Sequence, residues 1–120
     1  MTLHCVYYCY NAEGEMLYIG CTKQMLERLT CHKSKSAWVP YLHKIRLRWF
    51  DSFGEARRFE EEAIYRNRPE YNRYTNGTSA RVSPKGEFLA PNDDWPQRLK
   101  LIRASLKKRI ARASKLQAAQ

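Results

Sequence analysis

Residues 3–22 constrain the fold of this chain more than any other stretch. "LHCVYYCY" is rich in Tyr, Val and Cys and reads as a strand. "NAEGE" follows, with Asn11 and Gly14 as breakers, and "MLYIGC" reads as a second strand. The first unit is therefore a β-hairpin. It concentrates four tyrosines, at positions 7, 8, 10 and 18. Tyrosine suits strands, so packing accounts for all four unless something else singles out one of the phenols.

After the hairpin the period changes. Thr22 is expected to cap a helix running to about residue 33, with Met25, Leu26 and Leu29 as its buried stripe. Arg28 and His32 stand four apart, so they neighbour each other on another face. "SKSAWVPYLH" is irregular or a short helix broken by Pro40. In "KIRLRWF", Ile45, Leu47 and Trp49 alternate with Lys44, Arg46 and Arg48, as in a half-buried third strand with one cationic face. Ser52 and Glu55 have capping-box spacing, and a second helix follows to about residue 67. Its apolar side carries Ala56, Phe59, Ala63 and Ile64, and Glu60 falls on that same side. Pro69 ends it.

Residues 73–93 are rich in Gly, Ser, Pro and Asn and read as a linker or loose loop. Asp94 then begins a last helix to about residue 117, with Pro96 in its first turn. Leu99, Ile102, Leu106, Ile110 and Ala113 make one stripe. Lys and Arg crowd the remaining faces. That stripe has two uses: to zip a homodimer or to pack back on the core.

Composition narrows the class. With 120 residues, 43% hydrophobic and 28% charged, the chain suits one compact domain plus an appendage. No run approaches the roughly 18 to 20 apolar residues of a membrane span. The start "MTLHCVYY" lacks the basic-then-apolar pattern of a secretion signal, so a cytoplasmic location is expected. The cysteines at 5, 9, 21 and 31 form no C-x-x-C pair, and reduced, mostly buried thiols are expected. Net charge is +10. Residues 1–72 hold 11 Lys and Arg against 9 Asp and Glu, and residues 73–120 hold 11 against 3. A basic half of this kind points to a polyanionic partner, most often nucleic acid.

Two features suggest chemistry. An ionised Glu60 among Ala and Ile is costly unless it is paired or bound to metal. Arg28 closely follows a strand-to-helix turn, with His32 one turn on. Arg, His, a carboxylate and a tyrosine make a set suited to phosphodiester cleavage.

The order of these residues resembles the GIY-YIG nuclease family. "YIG" stands at Tyr18, Ile19 and Gly20. The first half of the signature reads "CVY" at Cys5, Val6 and Tyr7, with Cys5 in place of the usual glycine. "YIGCTKQMLERLTCH" matches the family's run through Arg28 and His32, and "ARRFEEEAIYRNRPEYN" matches the run through Glu60 and Asn72. The resemblance covers residues 3–72. It implies a small α/β domain of the α+β kind, with a three-stranded antiparallel sheet flanked by helices. It also implies metal-dependent cleavage of DNA phosphodiesters with Mg²⁺ or Mn²⁺. On this view Glu60 is the one protein ligand to the metal, and Arg28 contacts the scissile phosphate. Tyr7 or Tyr18, with His32, activates the water, and Asn72 organises the site by hydrogen bonding. Gly20 would serve the turn from strand into helix.

DNA affinity is expected from Lys44, Arg46 and Arg48 and from a separable basic tail carrying Arg98, Arg103, Lys107, Lys108 and Arg112. Compact size leans toward a stand-alone enzyme of a phage or mobile element, such as a homing endonuclease, acting in a host cytoplasm. The alternative class is a non-catalytic DNA-binding or nuclease-regulating protein on the same fold.

Overall fold

The computed structural model describes residues 3–72 and 94–118, so the linker expected at 73–93 lies outside the described residues. The chain forms the strands β1 (His4–Tyr10), β2 (Met16–Thr22) and β3 (Lys44–Phe50). The helices are α1 (Met25–Lys35), α2 (Phe53–Asn67) and α3 (Trp95–Ala118), with a 3-10 turn at Val39–Tyr41. The sheet order is β2-β1-β3, and both pairings are antiparallel. This is the three-stranded sheet with flanking helices that the sequence predicts.

Local chemistry explains the boundaries. The β1–β2 turn closes on Asn11, whose Oδ1 accepts from the amides of Glu13 at 3.1 Å and Glu15 at 2.8 Å, while Gly14 takes φ 82°. Ser52 caps α2 by accepting from the Glu55 amide. Arg68, in the left-handed region, closes α2 just before Pro69.

Two expectations at the end of β2 need correction. Thr22 is the last residue of β2, and its Oγ1 accepts from the Gln24 amide at 3.0 Å, ahead of a helix that begins at Met25. Gly20 does not turn the chain either. It lies inside β2, directly opposite Tyr7, and a Cβ there would overlap the Tyr7 ring. The missing side chain makes room for the phenol.

The sheet divides two cores. On the α1 side, Cys5, Tyr7, Cys9, Leu17 and Ile45 pack with Met25, Leu29, Trp38, Val39 and Leu42. On the α2 side, Val6 and Ile19 pack with Ala56 and Ala63. The register between β1 and β2 slips after Cys9, so that Cys9 pairs with Tyr18 but Tyr10 with Met16. Leu17 is the extra residue, and the bulge lets Leu17 and Tyr18 both serve the α1-side core.

Helix α3 joins that same core. Leu99, Ile102 and Leu106 are buried in it, and Ile110 packs at its rim. Arg103 Nη1 donates to Leu26 O at 3.1 Å and to Thr30 Oγ1 at 3.0 Å. Arg109 Nη1 donates to Ile45 O at 2.7 Å. Of the two uses open to the stripe, packing back on the core is the one observed. α3 thus covers the α1-side core.

Candidate active site

Four segments deliver the polar residues to the β2 edge of the sheet. β1 supplies Tyr7, β2 supplies Tyr18, α1 supplies Arg28 and His32, and α2 supplies Glu60. Residues after α2 brace that edge from outside. The Tyr71 amide donates to Leu17 O at 2.9 Å. The Asn72 side chain accepts from Ile19 N and donates to Ile19 O, both at 2.8 Å. The amide thus mimics a paired strand residue between Tyr18 and Gly20. Both its ends are occupied, so Asn72 positions β2.

The two phenols are not equivalent. Tyr7 is fully enclosed, and its Oη lies 2.7 Å from His32 Nε2. On its other side the His32 ring holds Ser36, with Nδ1 2.6 Å from Ser36 Oγ. Tyr18 is half-buried and lines an open cleft of about 710 Å³ together with His32, Lys33, Lys35, Trp38 and Asn72. Its ring stacks on Trp38 at 5.3 Å and meets the edge of His32 at 5.2 Å. The Arg28 charge acts on both phenols.

Electrostatics follow from this packing. Burial pushes the Tyr7 phenol well above its ordinary range, and the adjacent Arg28 offsets only part of that. Burial also raises Tyr18, again against Arg28. The positive charge needed to make a phenol a base at neutral pH is present, but burial outweighs it. His32 is pushed down to about 4, by burial first and by the charge of Arg28 second, so its ring is neutral at neutral pH. In that form Nε2 or Nδ1 is open to a proton. Arg28 is held firmly charged, chiefly by its interaction with the Tyr7 phenol.

Glu60 is buried, and Arg57 Nη1 donates to its Oε1. Burial raises its carboxyl, and the charge and hydrogen bond of Arg57 pull the other way. Arg28 acts on it from across the site. Among the described residues, no cluster of three or more His, Cys, Asp or Glu side chains is placed to hold a metal ion. A lone, half-compensated carboxylate still fits a hard cation such as Mg²⁺, which keeps several waters and takes further oxygens from a phosphate. It does not fit a metal caged by protein.

The structure thus brings Tyr7, Tyr18, Arg28, His32, Glu60 and Asn72 together. It does not bring Lys44, Arg46 and Arg48 to them. Those three lie on the α2 side of β3, the edge strand farthest from β2. On α3, Lys107, Lys108 and Arg112 are exposed. Arg98 lies beside Asp94, with Nε 3.8 Å from Oδ1, and Arg103 ties α3 to α1. Pairing of Glu60 with Arg57, one of the two readings of a carboxylate at that position, is observed. Sequence reasoning missed Ser36 and Trp38. Ser36 had a signal, at four residues from His32 on helical spacing. Trp38 had none. Cys5 sits in extended strand with its Sγ 3.9 Å from Met25 Sδ, and burial pushes its thiol up to about 12. It stands where the motif has glycine without backbone strain.

Fold and site together define a small α+β protein with an open polar cleft at one sheet edge. The GIY-YIG catalytic-domain model matches residues 3–75, and the chain belongs to this family of nucleases. No curated protein and no solved structure matches it significantly. Among the described residues, no helix is long and apolar enough to cross a membrane.

Proposed function

We propose that the protein is a metal-dependent DNA endonuclease that hydrolyses phosphodiester bonds at the cleft lined by Tyr18. The observation that carries this reading is the convergence of Arg28, both phenols, neutral His32 and buried Glu60 from four separate segments. Arg28 binds the scissile phosphate and stabilises the charge that builds on it. Tyr18 is the phenol that faces the cleft, so it receives the proton of the attacking water. Its own proton passes to Tyr7, and the Tyr7 proton passes to His32 Nε2.

A bound phosphate neutralises Arg28. That removes the second cause of the low His32 pKa, so the ring becomes a better base when substrate is present. Ser36 holds the far nitrogen and fixes the ring. Glu60 would hold the divalent cation, which supplies charge stabilisation at the phosphate and a lower pKa for bound water.

The test is nicking of supercoiled plasmid with Mg²⁺ or Mn²⁺ by wild type, Glu60→Ala and Arg28→Ala. Glu60→Ala should be inactive, and Arg28→Ala slower by roughly a hundredfold or more. Wild type that binds DNA but cuts none would place the protein in the alternative, non-catalytic class. Variants as active as wild type would refute the assigned roles.

A further inference from the structure

The sheet has a second polar surface that the cleavage site does not use. On the α2 side, Tyr8 stands opposite Arg46 and Tyr10 opposite Lys44 in the β1–β3 register. Arg48 lies next along β3, its guanidinium 4.5 Å from the centre of the Phe59 ring. The three cations are exposed and the two phenols half-exposed. Arg48 and Arg46 both act electrostatically on the Tyr8 phenol, so the charges cluster at the rings.

Alternation makes this surface distinct. Tyr7 and Cys9 point to the α1 side, and Tyr8 and Tyr10 to the other. β3 is also the edge strand remote from β2. Tyr10 and Arg46 thus share a sheet face opposite to that of Tyr7 and Tyr18.

We propose that Tyr8, Tyr10, Lys44, Arg46 and Arg48 form a binding platform for an unpaired nucleic-acid strand. Cations spaced along one strand meet successive phosphates, and the phenol faces between them accept unstacked bases. A duplex offers phosphates but keeps its bases inside, so the phenols select for single strand. The platform goes beyond the cleavage reading and needs neither metal nor catalysis.

The experiment uses the full chain carrying Glu60→Ala in EDTA, so binding is read whether or not the wild type cuts. Fluorescence anisotropy compares an oligothymidylate of about 15 nucleotides with a hairpin duplex of equal length. Tyr10→Ala should weaken single-strand binding roughly five- to a hundredfold, while Tyr10→Trp retains it. Arg46→Ala should weaken it and flatten its salt dependence. Duplex affinity should stay constant in Tyr10→Ala and Tyr10→Trp. A 2-aminopurine base in the strand should be quenched by the Glu60→Ala protein and not by its Tyr10→Ala derivative. Unchanged melting temperatures establish that the variants are folded. Three results would overturn the platform: Tyr10→Ala binding single strand as tightly as its parent, equal losses for single strand and duplex, or a self-association in light scattering that Arg46→Ala abolishes.

Discussion

Leu106 offers the sharpest test of how the basic helix is used. It is fully enclosed and lies where α3 packs on the core that also holds Tyr7 and Leu29. Truncation to Ala removes three carbons' worth of burial and leaves a cavity that a helix tied at Arg103 and Arg109 closes poorly. A buried Leu→Ala change of this kind costs about 3 to 4 kcal/mol. That is a large share of the roughly 5 to 15 kcal/mol that stabilise a small domain. In urea the midpoint should fall by roughly 2 M with little change in slope. Leu101, 64% exposed on the same helix, is the control. Its replacement by Ala should shift stability by no more than about 0.5 kcal/mol. If Leu106→Ala proved as mild as Leu101→Ala, α3 would be an appendage and its tertiary role would be refuted. The same reasoning applies to truncation before residue 94, which should lose the folded domain as well as any DNA affinity.

Two further outcomes follow from the site. His32 is held neutral in the folded state, its pKa lowered from 6.5 to about 4. The unfolded chain binds that proton more readily, so the stabilisation is complete above the unfolded value and is lost as pH falls through the folded one. With screening at the cleft rim, the loss between pH 7 and pH 4 is roughly 1 to 2 kcal/mol, and urea midpoints of His32→Asn should fall less over that range. Equal falls would count against the assignment. Gly20→Ala forces a methyl into the Tyr7 ring, which has nowhere to move because it is enclosed. A loss of about 1 to 3 kcal/mol and slower nicking are expected. A double-mutant cycle with Tyr7→Leu should be strongly non-additive, and additive losses would exclude the contact.

Much of this protein was legible in its residues because the relevant forces are local. Alternation in "KIRLRWF" set a strand and its two faces. Ser52 and Pro69 marked the ends of α2, and helical spacing put Glu60 on the buried side. The ordered motif residues then named the family.

What the residues could not decide depended on contacts between distant segments. Tyr7 and Tyr18 look alike in sequence. The hairpin register encloses one beside His32, and the bulge at Leu17 leaves the other facing the cleft. In sequence Gly20 reads as a turn residue, whereas in the fold the Tyr7 ring of the neighbouring strand lies over it. The cations of β3 and those of α3 both read in sequence as DNA-facing. Pleating sends the first to the α2 side of the sheet, on the edge strand away from Tyr18, and packing turns Arg103 and Arg109 inward to tie α3 to the core. Periodicity says which side of an element is buried. Only the packed fold says what lies against it, because that is set by side chains brought together across the whole chain.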